Sequence, residues 1–204
     1  MYIPRRYEEK DTEKIHAFIR GNSFAILISI QEGRPIGTHI PLQLEIGADG
    51  KACLMGHISR GNEQKHTLIP GAKVLAIFAG PHAYVSPRWY TEMKVPTWNY
   101  ISVHIYGTIS IVEGEELRAA LSRLIDTYEQ HQPQPVHIGE IPENQLQSDL
   151  RGILGFRISI DEIQAAYKLS QNRDPVSHQH VIDHLSQGDE TARAVAAEMA
   201  KRKL

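Results

Sequence analysis

The 204-residue chain has one cysteine, Cys53, and only two tryptophans. A single thiol cannot close an internal disulfide, and Cys53 sits in the apolar run ACLMG, the setting of a small buried side chain. This usage fits a reducing, cytoplasmic compartment. Nowhere do about 18 apolar residues run together without charge, and MYIPRRYEEKDTEK carries no apolar signal region. Neither membrane spanning nor secretion is therefore expected. No sign of charge dominates: 22 Lys and Arg stand against 24 Asp and Glu, a formal net charge of −2. That removes any global pull toward nucleic acid or an anionic membrane, and contact with DNA would need a local patch. Gly-x-Ser-x-Gly, a Walker loop, paired cysteines and a dinucleotide fingerprint are also missing, so no standard motif announces an enzyme.

What the chain does have is many short strand signals. DTEKIHAFIRGNS predicts a helix capped by Asp11 or Thr12, with Ile15, Phe18 and Ile19 at helical spacing and Gly21-Asn22 as its stop. SFAILISI, THIPLQLEI, ACLMGHI, AKVLAIFAG and AYVS follow as strands, with GRPIG and the turn GADGK between them. In WNYISVHIYGTISIV, Ile101, Val103, Ile105, Ile109 and Ile111 share one face. EGEELRAALSRLIDTYEQ predicts a helix with an apolar stripe of Leu117, Leu121, Leu124 and Ile125. PENQLQSDLRGILG suggests a short helix, FRISIDEIQAAYKLS a strand or strand pair, and Asp174-Pro175 the start of a helical segment running to Leu204. The economical architecture is mainly β: an antiparallel barrel, closed or nearly so, over residues 1–173, with peripheral helices and a C-terminal helical extension over residues 174–204.

Several clusters could carry chemistry. GHISRGNEQ offers Ser59, Arg60 and Asn62 on a glycine-punctuated turn, a set able to hold a phosphate or simply to form a solvated turn. YKLSQNRDP gathers Lys168, Ser170, Gln171, Asn172 and Arg173, either an anion clamp or an exposed strand end. His180 and His184 lie four residues apart on a helix, with His178 and Asp183 nearby; that spacing can bind a metal, but no companion ligand motif exists and none is expected. The last two helical segments have the outline of a helix-turn-helix, yet the second opens with Asp189 and Glu190, which phosphates would repel; a hairpin packed on the barrel or a second subunit fits better. Finally, HAYVSPRWYTEMKVPTWNY, residues 82–100, collects both tryptophans and three tyrosines around Pro87 and Pro96. Prolines make it an irregular excursion between strands. Trp89, Tyr90, Trp98 and Tyr100 are expected to cover a dimer seam and wall an adjoining pocket.

GRPIGTHIPLQL, GHISRGN, GPHAYVSPRWYTEMKVPTWNYISVHIYG and FRISIDEIQAAYKLSQNR resemble, in order and spacing, the motifs of the PaiB family, which is described as FMN-binding and as a negative transcriptional regulator family. The resemblance runs along nearly the whole chain. It implies the split β-barrel fold of FMN-binding proteins, which form homodimers with flavin sites between subunits. It further implies that His57, Ser59, Arg60 and Asn62 belong to a flavin-phosphate loop, that Trp98, Asn99 and Tyr100 border the ring, and that Lys168, Ser170 and Gln171 reach the site or the dimer partner. The implied function is negative regulation of sporulation and degradative-enzyme production. The alternative is an FMN-dependent oxidoreductase or a flavin- or haem-binding redox sensor. Where that family commonly carries Asn-Pro and an aromatic, this chain has Asn62-Glu63-Gln64.

Overall fold

The computed structural model describes residues 1–47 and 49–202. Ala48, in the expected GADGK turn, and the end of the expected C-terminal helix at Lys203-Leu204 lie outside the described residues. Seven strands form one antiparallel sheet: β1 (Phe24–Gln31), β2 (Arg34–Pro41), β3 (Gln43–Ile46), β4 (Ala52–Ser59), β5 (Lys73–Val85), β6 (Thr97–Val112) and β7 (Ile153–Lys168). Their order is β2-β1-β5-β6-β7-β4-β3, which leaves β2 and β3 as the edges of an open sheet. Among the described residues five α-helices accompany them: α1 (Thr12–Gly21), α2 (Gly114–Glu129), α3 (Glu143–Arg151), α4 (Pro175–Ser186) and α5 (Glu190–Ala200).

The mainly β architecture expected from the strand signals is therefore present, with two corrections to strand length. β5 runs through Pro81 to Val85 as one strand; its ladder with β1 covers Leu75–Ile77, so Pro81 costs that pairing no hydrogen bond. β7 is a single strand of 16 residues that takes over at Ile153, so ILG is strand and not helix. The alternation of β6 also changes phase near its end. Residues 101, 103, 105 and 109 are buried, but Ile111 is half-exposed and Val112 turns inward to Met55, Leu117 and Ala120.

The chain divides into two compact units. One comprises residues 23–77 and 105–162; the other comprises residues 1–22, 78–104 and 163–204. In the first, Leu27, Leu42, Leu54, Ile105, Ile109 and Ile158 are fully buried core side chains. β4 pairs with β7 in a register that sets His57 opposite Gly155 and Ser59 opposite Ile153. In the second, Ile19 of α1, Phe78 of β5, Leu169, Val181 of α4 and Met199 of α5 fill the core. Asp11, Asp174 and Asp189 cap α1, α4 and α5 through their carboxylates, satisfying N–H groups that a helix start leaves unpaired.

Candidate functional site

The expected site residues fall into two groups, one in each unit, and each has its own geometry. In the first unit, β4 ends at Ser59 and the chain turns sharply. The Arg60 N–H donates to the Gly152 carbonyl at 2.8 Å, and the Gly61 N–H donates to Ser59 Oγ at 3.1 Å. Asn62 spends both ends of its amide inside the loop: Oδ1 accepts from the Gln64 N–H at 2.9 Å, and Nδ2 donates to Thr38 Oγ1 at 3.0 Å. Asn62 therefore shapes the loop. Ser59 and Arg60 are exposed, and the Arg60 guanidinium has no partner among the described residues. His57 is half-buried, and desolvation holds its ring below the ordinary imidazole range, so it stays neutral near pH 7. A hydroxyl, a free guanidinium and a stiff turn are a donor set that suits a phosphate.

Sequence reading missed what makes the turn stiff. Gln64 is 1% exposed. Its Nε2 donates to the Leu27 carbonyl and to Ser29 Oγ, each at 3.0 Å, and lies 3.4 Å from the Ile36 carbonyl. One buried amide thus pins the loop to β1 and β2. No local signal could have found it, because its partners lie 28 to 37 residues away.

In the second unit, Asn99 at the start of β6 is fully buried, and its amide hydrogen-bonds Ser170 Oγ at 3.0 Å and Met199 Sδ at 3.3 Å. Ser170 sits at φ +60, a left-handed conformation uncommon outside glycine, and the Asn99 contact holds it there. Gln171 folds back on its own strand end, donating to the Tyr167 carbonyl and accepting from the Leu169 N–H. Lys168 donates to Thr97 Oγ1 and, at 2.7 Å, to the Trp98 carbonyl. Its ammonium is held below the ordinary lysine range by burial and then by Arg173. Asn99, Lys168 and Ser170 thus tie the start of β6 to the end of β7, and Gln171 braces that end from within.

The aromatic residues divide. Tyr90 is buried within the chain, with the Arg173 guanidinium 4.5 Å from its ring centre, so it does not cover an outer seam. Trp89 stacks on His184 at 4.8 Å between ring centres. Trp98 is 53% exposed, with Tyr84 edge-on at 6.0 Å, and Tyr100 is half-buried. Of the histidine set, His178 is buried and His184 lies against Trp89, and no group of three metal-ligating side chains is found among the described residues.

The family model described as "Putative FMN-binding domain" matches residues 1–162. Protease synthase and sporulation protein PAI 2 of Bacillus subtilis is 40% identical over all of this chain and 98% of its own length. The chain belongs to the PaiB family. An uncharacterized protein of Aspergillus fumigatus is 28% identical across 99% of the chain and 97% of that protein. Among solved structures, the FAD and heme binding protein from Mycobacterium smegmatis superposes with a TM-score of 0.61 at 16% identity, covering 85% of this chain and 78% of that one. The flavocytochrome Anf3 from Azotobacter vinelandii gives 0.60 at 17% identity, covering 81% and 72%. At such identities the likeness is one of fold, and the fold of this PaiB-family chain is the split barrel of flavin-binding proteins. Of the expected site residues in this PaiB-family chain, Ser59, Arg60 and Trp98 keep free surface, while Asn62, Asn99, Lys168, Ser170 and Gln171 are engaged internally.

Proposed function

We propose that the protein is a PaiB-type negative regulator of sporulation and protease production, acting in the cytoplasm as a homodimeric split barrel that binds FMN. The observation that carries this reading is the 40% identity to the Bacillus subtilis sporulation protein along the entire chain, including α4 and α5, which lie beyond the matched residues 1–162. FMN, when bound, supplies electron-transfer chemistry. The chain's own part is to hold it. Arg60 takes the phosphate through its guanidinium, the Ser59 hydroxyl donates to a phosphate oxygen, and neutral His57 offers a hydrogen bond without adding charge. Asn62 keeps the turn in shape. In the second unit, Trp98 and Tyr100 carry rings of the kind that stack on a flavin, Asn99, Lys168 and Ser170 act as positioning residues for the start of β6, and Gln171 fixes the end of β7.

Purified protein titrated with FMN should show a saturable change in the flavin spectrum, and Arg60→Ala should weaken it by about tenfold or more, as loss of a charge-assisted phosphate contact does. Absence of any flavin response would remove FMN from the reading. The regulatory half is tested separately, by deleting the gene and following protease and sporulation transcripts: they should rise and return on complementation. Unchanged transcripts would overturn it. Repression through direct operator contact is supported only by the helix-turn-helix outline of α4 and α5, and Asp189 and Glu190 at the start of α5 oppose it. A gel shift in rising salt decides between routes, since real phosphate contacts lose affinity steeply as salt increases.

A further inference from the structure

The second unit contains a cavity of about 480 Å³ that collects both tryptophans of the chain. That volume lies within the roughly 300–1,000 Å³ of small-molecule sites. One wall is Trp98 with Tyr84 edge-on at 6.0 Å; another is Trp89 with His184 stacked on its face at 4.8 Å. The floor is the turn from α4 to α5, ending in Asp189. One Asp189 oxygen caps α5 by accepting from the Ala192 N–H at 2.8 Å, which leaves the other without a partner among the described residues.

The charge of the lining is one-sided. Asp189 is its only carboxylate, His82 and His184 are its only other titratable groups besides Tyr84, and no lysine or arginine lines it. Arg193 of α5 is not among the lining residues, but its guanidinium donates to the carbonyl of Gly188, which is, so one cation stands at the edge of the cavity with its charge turned onto that carbonyl. Aromatic faces carry negative charge above the ring and attract cations, and tryptophan does so best. An anion would meet the Asp189 carboxylate and a helix start that Asp189 already caps.

We propose that this cavity binds a small organic cation bearing an alkylated ammonium group. The aromatic faces of Trp98 and Tyr84 receive the alkyl shell, and Asp189 supplies the counter-charge. The assignment does not use the phosphate loop, but it shares Trp98 with the residues offered for the flavin ring, so the titration below is run on protein that shows no flavin absorbance.

Because both tryptophans line the cavity, the fluorescence of the intact chain reports directly on it. Choline is the probe, and its neutral tert-butyl isostere is the control for shape without charge. Choline should produce a saturable fluorescence change, with the isostere weaker by about tenfold. Asp189→Asn keeps a good helix cap and should weaken choline about fivefold or more. Trp98→Ala should abolish binding while Trp89 still reports, with circular dichroism confirming that both variants fold. No saturable response, an equal response to the isostere, or unchanged affinity in Asp189→Asn would each overturn the proposal. FMN binding is read from the visible flavin spectrum, so failure of either assignment is seen independently of the other.

Discussion

Gln64 stands where the resembled family commonly places an aromatic ring, and here a primary amide fills the buried slot. Its Nε2 donates to the carbonyl of Leu27 and the hydroxyl of Ser29, and Ser29 Oγ in turn bonds Thr67 Oγ1 at 2.6 Å. Gln64→Ala removes these bonds together and opens a small void. We expect a loss of about 3 kcal/mol, measurable as a fall in Tm of roughly 10 °C for a chain of this size. FMN affinity should fall with it if the Arg60 turn relaxes. A melt unchanged within about 0.5 kcal/mol would show that the amide is not a structural pin. Residues of this kind were the least legible in the sequence. Ser59 and Arg60 could be picked out because the glycines around them announce a turn, whereas Gln64, Asn99 and Ser170 look like ordinary surface polar residues. What makes them structural is burial against partners 35 and 71 residues away, and no local pattern encodes that.

At the scale of elements, the capped helices were the easiest to read, since Asp11 and Asp174-Pro175 place chemistry at the position that needs it. Strand limits were harder. GRPIG reads as a link between strands, but Pro35 falls inside β2, an edge strand, where a missing N–H can face solvent, and THIPLQLEI, which reads as one strand, breaks at Leu42 into β2 and β3. The hairpin between β1 and β2 turns on Glu32 and Gly33, both with positive φ, and Gln31 pairs with Arg34. A two-residue turn of this kind prefers Asn before Gly. Glu32→Asn should therefore stabilise the protein by about 0.5 kcal/mol, seen as a higher denaturant midpoint with an unchanged slope. A lower midpoint would show that the Glu32 side chain has a role the turn geometry does not reveal. Gly107 in β6 is the opposite case, a position with no room to change. A Cβ there would come within 2.3 Å of Ile158 Cγ2 and 2.5 Å of the Ser159 carbonyl oxygen. Gly107→Ala must push β6 off β7 and should cost about 2 kcal/mol or more. Melts matching the parent protein would refute that packing.

Across the whole molecule, one buried and two half-buried histidines shape how stability responds to acid. His57, His104 and His178 are all held below the ordinary imidazole range, each chiefly by desolvation, with the N-terminal ammonium adding to the effect at His104 and the Leu169 backbone partly opposing it at His178. His178 is the sharpest case, because Nε2 is buried with no partner and protonation would create an unpaired cation in the core. A depressed pKa in the folded state means that the unfolded chain binds protons first as pH falls. Stability is therefore fully present above about pH 6.5, the unfolded imidazole value, and is lost as pH drops through the folded values. His137 runs the other way, since Asp126 raises it, but it is fully exposed and its contribution is screened. Thermal melts between pH 7 and 5 should thus show Tm falling toward acid, and His178→Gln, which cannot acquire a proton there, should flatten part of the slope. A Tm constant over that range would mean that water reaches these rings in the folded state. An undiminished slope in His178→Gln would shift the effect to His57 and His104.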